Sequence, residues 1–375
     1  MGIHWIILVA LVVIIGQRAL FRRWSLTKIE YHKSFDRTEC YAGDEIELIE
    51  RISNRKLLPT PWLRVETMMS AHLQMAGQAD MAIDSGEIMQ NHMSLFSLMP
   101  YTEITRRHQV KCLKRGYYYL NSTTITSGDL LGIVEVHEQL YVNCSILVYP
   151  LPIPVDEIPL PSSKWLGDLL VRRWIVEDPF FIQGVREYQA GDPMNSINWK
   201  ATARSGNLQV NSRAFTADHK LMILLNIDDS TTMWNIVTNV ELIEKGIVYV
   251  ASLVDYVMNK GIATGFASNG RLVDGPLRTP IQIPCQTGLY HQRSIMEALA
   301  KLELKRSFPF EDLLGNIGRS SDSSTDCLII SAYTNKAIEK EIQRLRSMGH
   351  TVDMIMLKDK QSKVMEDPYD GITAS

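Results

Sequence analysis

The sequence predicts an all-β domain followed by an α/β domain, both behind an N-terminal membrane helix. Three observations carry that expectation. An apolar run from Trp5 to Ile15 is closed by the basic residues Arg18, Arg22 and Arg23. From Thr27 to Pro150, short segments alternate apolar and polar residues between turn-formers. From His219 onward, continuous apolar runs alternate with helical periods, as in a parallel sheet covered by helices on both faces.

The N-terminal run reaches membrane-spanning length with its flanks, Arg18 snorkelling at one end. No Lys or Arg precedes it and no small-residue cleavage pattern follows, so residues 1–23 read as an anchor rather than a signal peptide. Bilayer lipid is then the first partner. The positive-inside rule keeps residues 27–375 in the cytoplasm, behind a single pass of the cell membrane.

Residues 27–150 read as a β-sandwich. "DEIELIERISN" sets Ile46, Leu48 and Ile52 among charged residues, and "PWLRVETMM", "ITRRHQVKCL", "GYYYLNSTTIT" and "NCSILVYP" are further β-rich runs. The segment from Ala71 to Met89 is less regular and is expected to be a long loop. "YPLPIPVDEIPLPSS" makes residues 151–163 an extended proline-rich linker. A distinctive segment follows over residues 164–215.

Residues 216–360 read as the α/β domain. "KLMILLNI" is a strand buried on both faces. Thr238 and Glu241 form a capping box for a helix carrying Ile243, Ile247, Val250, Val254 and Val257, ended by Gly261. "IATGFAS", "DCLIISAY" and "HTVDMIMLK" are strands; "HQRSIMEALAKLE" and "NKAIEKEIQRLRSMG" are helices. Residues 361–375 are polar and read as a loose tail.

Composition excludes several classes. Charged residues are 22% of the 375 and the net charge is −3, so nothing global argues for nucleic acid. The five cysteines form no CxxC pair and fit a reducing compartment better than a disulfide scaffold. The histidines show neither HxH nor HExxH, so no preformed zinc site is expected.

Ligands of parallel sheets bind at the carboxyl ends of strands. There Asp228, Ser230 and Thr232 offer a carboxylate and two hydroxyls, donors for a hard cation. The pattern resembles the metal-dependent adhesion site of von Willebrand factor A domains. That resemblance implies another aspartate at the end of the strand in "CLIISAY", where this chain has Ser331, Ala332 and Tyr333, so Mg²⁺ is expected to bind weakly. The competing reading is a loop whose oxygens satisfy backbone N–H groups at a helix start. Met233 and Trp234 on the same loop are either an amphipathic anchor for a protein partner or packing for the following helix.

The segment "VREYQAGDPMNSINWKATARSGNLQV" contains no Ser–His pair, no carboxylate dyad and no phosphate loop. Asp192 suits an N-cap and Pro193 a first helical residue, with a short helix running to about Arg204 and Gly206 beyond it. The expectation is a polar clasp in which Trp199 is buried and Arg186 or Arg204 pairs with Glu187 or Asp192.

This segment resembles the signature of a bacterial family called domain of unknown function 58 (DUF58). Arg186, Glu187, Tyr188, Gly191, Asp192, Ile197, Trp199, Lys200, Ala203, Arg204, Leu208 and Val210 match; Asn195 departs, since arginine is common there. The resemblance extends to "YAGDEIELIERISNRKLLPTPWLRVE" and "KRGYYYLNSTTITSGDLLGIVE". It implies a Rossmann-like, von Willebrand A-like domain after the signature. It also implies a gene neighbourhood with MoxR-type AAA+ ATPases, and it supplies no enzymatic activity. The expected function is a membrane-anchored, non-enzymatic scaffold, partner of such an ATPase in maturing or remodelling an envelope complex. The alternative is a metal-dependent hydrolase around Asp228.

Overall fold

The computed structural model describes residues 2–75, 83–85, 89–129, 132, 135–161, 165, 167, 177–189, 192–215, 220–230, 237–276, 278–320 and 325–358. Gly191, Thr232, Met233, Trp234 and the tail lie outside them. The chain divides into two compact units, residues 1–151 with 296–302, and residues 152–295 with 303–375.

Helix α1 (Gly2–Trp24) opens the first unit. Its stretch from His4 to Trp24 has a mean hydropathy of 2.0 and is almost wholly unburied, so it is long and apolar enough to cross a membrane. Two sheets follow. Strands β1 (Ile29–Phe35), β3 (Glu45–Asn54), β5 (Leu73–Met75) and β8 (Glu103–Cys112) pair antiparallel in the order β1-β3-β8-β5. The second sheet holds β2 (Glu39–Tyr41), β4 (Thr60–Ser70), β6 (Ile83–Ser85), β7 (Met89–Leu98), β9 (Gly116–Gly128) and β10 (Glu135–Tyr149) in the order β2-β10-β9-β4-β7-β6.

One apolar core joins both sheets. Ile46, Leu48, Ile52 and Val110 come from the first; Leu63, Val65, Phe96, Ile125 and Ile146 come from the second. Alternation along each strand sends these side chains inward, because successive residues of a strand point to opposite faces. The loop expected over Ala71–Met89 contains the short strands β5 and β6 instead. Three residues are too few to show a period of two, so sequence patterning missed them.

In the second unit, β11 (Glu177–Glu187) and β12 (Gln209–Phe215) form an antiparallel ribbon, with helix α2 (Trp199–Ser205) between them in sequence. An open sheet then has the order β16-β14-β13-β18-β19, from β13 (Lys220–Leu225), β14 (Ala263–Ser268), β16 (Ile281–Gln286), β18 (Asp326–Ser331) and β19 (Thr351–Met356). All neighbours are parallel except the edge strand β16. The two-residue strands β15 (Arg271–Leu272) and β17 (Leu302–Glu303) lie outside this sheet.

Helix α3 (Val240–Asn259) buries Ile243, Ile247, Val250, Val254 and Val257, the expected stripe. Its N-cap, however, is Asn239 rather than Thr238, with the Asn239 side chain accepting from Leu242 N at 3.1 Å. Gly246 lets α3 approach closely: a Cβ there would come within 2.8 Å of Leu357 Cδ1. Helix α4 spans Leu289–Lys301. Helices α5 (Phe310–Ser320) and α6 (Lys336–Ser347) pack Phe310, Leu313, Leu314, Ile317, Ile338 and Leu345 into one cluster with Met222, Leu224 and Ile329 of the sheet. The sequence reading did not anticipate α5, whose interior glycines, Gly315 and Gly318, weaken the helical signal.

Candidate functional site

The distinctive segment folds into a ribbon with a short helix. Pro193 caps a 3-10 turn, Met194–Ser196. Helix α2 starts only at Trp199, where Asn198 is the N-cap, accepting from Ala201 N at 3.0 Å; Gly206 ends it with φ +77°. Asp192 is therefore not a helix cap. Its carboxylate takes two hydrogen bonds from the Arg186 guanidinium, at 2.7 and 2.6 Å, and one from Gln189 N at 2.8 Å. Those bonds hold the Asp192 carboxyl down at about 2, the Arg186 pair contributing most.

The expected Arg186–Asp192 pairing is thus present, but the buried tryptophan is not. Trp199 is 66% exposed. Ile197, just before α2, pairs with Val210 of β12, and both are buried. Asn198 N donates to Gln209 O, and Gln209 N to Thr202 Oγ1, so backbone and polar side chains fix the hairpin without the indole. Met194 is 71% exposed, and Val185 and Leu208 are also exposed. Lys200 and Arg204 lie on the surface of α2. The hairpin is closed by polar bonds and turns large apolar groups outward.

A second candidate lies at the carboxyl ends of the parallel strands. Strand order reverses between β13 and β18, and that reversal opens a crevice in sheets of this kind. Just beyond β13, Asn226 Nδ2 donates to Ser331 Oγ at 3.0 Å, Asn269 Nδ2 donates to Asn226 Oδ1 at 3.1 Å, and Ile227 N donates to Asn269 Oδ1 at 2.9 Å. These bonds tie the ends of β13, β14 and β18 together.

Asp228 sits on this platform, fully buried, and neither carboxylate oxygen has a hydrogen-bond donor among the described residues. The Arg306 guanidinium faces it at 3.7 Å. Burial pushes the Asp228 carboxyl up to about 6; Arg306 opposes that rise, and Glu311 and Asp229 add to it. Burial, with the Asp228 charge next, also raises Tyr333.

Of the three expected cation donors, only Asp228 and Ser230 are among the described residues. Ser230 is only half-buried beside Asp228, and Thr232 lies outside the described residues. Asp229 Oδ2 instead accepts from Thr238 N and Asn239 N at the start of α3. The Ser331 hydroxyl donates to Tyr333 O at 2.6 Å. A divalent ion at Asp228 would meet the Arg306 charge, so the described residues do not fit a Mg²⁺ site.

The sequence reading missed a third cluster, between the sheets of the first unit. Glu50 on β3 accepts from Tyr31 OH at 2.8 Å, Ser94 Oγ at 3.0 Å and Lys33 Nζ at 3.0 Å, and lies 3.1 Å from His108 Nε2. His92 packs edge-on against His108, ring centroids 5.1 Å apart. Lys33 also donates to Thr67 Oγ1 at 3.2 Å. Burial alone would raise the Glu50 carboxyl, but the His108 bond and the Lys33 charge outweigh it and hold it well below the usual range. Burial drives His92 down to about 4, with the Lys33 charge adding to it.

Ligand atoms of Glu50, His92 and His108 lie within 4.8 Å of one another, a spacing compatible with a metal. The Lys33 ammonium already supplies the positive charge Glu50 needs, so the cluster is electrically satisfied by its own side chains. One sequence signal could have revealed it: Lys33, Glu50, His92 and His108 occupy inward positions of strands that also carry buried apolar residues.

A family model described as "Protein of unknown function DUF58" matches residues 184–373. The chain is 18% identical over 369 residues to "Uncharacterized protein YeaD" of Bacillus subtilis (strain 168), covering 97% of this chain and 84% of that protein. Among solved structures, the CARDB domain of PF1109 from Pyrococcus furiosus aligns with 33% of this chain and 94% of its own at 14% identity and a TM-score of 0.22. A non-cellulosomal cohesin from Archaeoglobus fulgidus aligns with 32% and 91% at 11% identity and a TM-score of 0.21.

Proposed function

The chain belongs to the DUF58 family, and from that premise we propose that it is a membrane-anchored protein-binding scaffold whose working surface is the ribbon hairpin. One observation carries this reading: Trp199, the largest side chain of the hairpin, is exposed at the start of α2 in a segment already closed by Arg186 and Asp192. Tryptophan is costly to leave in water, and exposed aromatic anchors flanked by Arg and Lys are typical centres of protein interfaces. Lys200 and Arg204 supply a basic rim suited to an acidic partner. The partner is a MoxR-type AAA+ ATPase, in maturation or remodelling of an envelope complex. The parallel sheet with its reversal between β13 and β18 supports a Rossmann-like, von Willebrand A-like reading of the second unit.

The test is capture of that ATPase by the full-length protein in its membrane. Trp199→Ala and Met194→Asp should each lower capture about tenfold or more, as hot-spot losses do. Wild-type capture by both folded variants would move the interface elsewhere.

A second reading rests on Asp228. A carboxyl poised near pH 6 beside an arginine suits acid–base chemistry in a hydrolase. Hydrolytic turnover abolished by Asp228→Asn in a variant that still folds would favour that reading over the scaffold.

A further inference from the structure

We propose that a groove at the foot of α1 binds one anionic phospholipid of the bilayer. This rests on the membrane-anchored reading above and adds a ligand to it. The groove encloses about 650 Å³ and is lined by Leu20, Trp24, Lys28, Lys56, Leu57 and Leu58, with Thr27. That volume lies within the range of about 300–1,000 Å³ for small-molecule sites.

Position favours a lipid. The stretch from His4 to Leu20, with Arg18 snorkelling near its end, spans about 26 Å at 1.5 Å per residue, close to a hydrocarbon core of about 30 Å. Residues 20–28 therefore fall at headgroup level, where an exposed Trp24 sits as interfacial tryptophans do. The last carbonyls of α1 are held to the β3–β4 loop: Lys56 Nζ donates to Trp24 O at 2.7 Å and to Ser25 O, and Thr27 Oγ1 donates to Trp24 O at 2.9 Å. This clamp fixes the helix end against the loop, so the groove is preformed. The loop then presents Leu57, 76% exposed, next to the buried Lys56.

Chemistry divides the groove in two. Leu20, Trp24, Leu57 and Leu58 make an apolar wall for the upper acyl chain. Lys56 is engaged by the helix carbonyls, but Lys28 is exposed and forms no ion pair among the described residues. Arg22 and Arg23 are exposed on the same turn of helix. The neighbouring carboxylate of Glu30 is paired with Arg55 at 2.8 Å. A net-negative headgroup meets unopposed cations there, whereas a zwitterionic one brings its own compensating charge.

The test uses the full-length protein in nanodiscs of phosphatidylcholine containing a minority of phosphatidylglycerol. Native mass spectrometry counts the lipids retained on release, and vesicle flotation is run in parallel. Wild type should float and retain one phosphatidylglycerol per chain. Lys28→Glu, a change of two charges at about 1 kcal/mol each, and Leu57→Asp, which puts a carboxylate in the apolar wall, should float and keep their melting temperatures yet lose retention about tenfold or more. Floating wild type that retains phosphatidylcholine equally, or folded variants that retain phosphatidylglycerol as wild type does, overturns the site. Wild type that fails to float overturns the anchor reading, and the site with it.

Discussion

At the residue scale, Trp199 and Asp228 depart most from expectation, and both departures are informative. Trp199 was expected inside the clasp, where its truncation would cost several kcal/mol. Exposed at the surface, Trp199→Ala should change stability by only about 0.5 kcal/mol. An unchanged melting temperature with lost capture would mark it as a binding group. Asp228 makes the opposite argument. Its folded pKa, about 6, lies above the unfolded value near 4. The folded state therefore holds a proton the unfolded state has released, and the stability this contributes is lost as pH rises from about 4 through 6. Asp228→Asn should raise the melting temperature at pH 8, the gain closing below about pH 4. A melting temperature lowered at pH 8 would show that the Arg306 contact outweighs the burial penalty. Neither the exposure of Trp199 nor the Arg306 contact was legible, because local patterning does not record which distant group faces a side chain.

At the element scale, the strands of the first unit carry a polar cluster inside an apolar core. Lys33 and Glu50 are both fully buried at their side chains, and Glu50 is the carboxylate that compensates the Lys33 charge. Glu50→Ala leaves the Lys33 ammonium buried without its carboxylate and should cost about 3–5 kcal/mol in denaturant unfolding. Replacing both, with Lys33→Met and Glu50→Leu, should recover most of that loss, since a well-packed apolar pair often equals a buried ion pair. If the double variant is as unstable as Glu50→Ala alone, the histidines rather than Lys33 hold Glu50 in place. The depressed Glu50 pKa contributes stability present above the unfolded value near 4.3 and lost as pH falls through the folded one. The low His92 pKa acts in the same direction, since a folded state that resists protonation loses stability from about pH 6.5 down to 4. The first unit should therefore be acid-labile, while Asp228 in the second favours acid.

At the scale of the whole molecule, the cysteines report membrane sidedness. Cys40 on β2 and Cys112 on β8 bring their Sγ atoms to 3.5 Å from opposite sheets, both buried as thiols. A proximity this close would close to a disulfide in an oxidising compartment. If Arg18, Arg22 and Arg23 hold the soluble part in the cytoplasm, as the positive-inside rule expects, both thiols should stay reduced. Acid-trapped cells, denatured and alkylated, should show both cysteines labelled, and protease added to wall-stripped cells should leave the chain intact. A Cys40–Cys112 crosslink, or digestion from outside, would place the soluble part beyond the membrane and end the case for a cytoplasmic ATPase partner.

The sequence by itself determined the local rules: an apolar α1, inward Ile46, Leu48 and Ile52 on β3, a β13 buried along Leu221–Leu225, and the stripe on α3. Each follows from a period of 2.0 or 3.6 read within one element, which burial on one face or both imposes directly. Tertiary structure alone decided the meetings. Glu50 reaches His108 58 residues away. Asp228 faces Arg306 across the strand ends, and Ile197 rather than Trp199 is the buried partner of Val210. The physical reason is register: strand order and pairing place those groups side by side, and they depend on non-local contacts that no window of sequence contains.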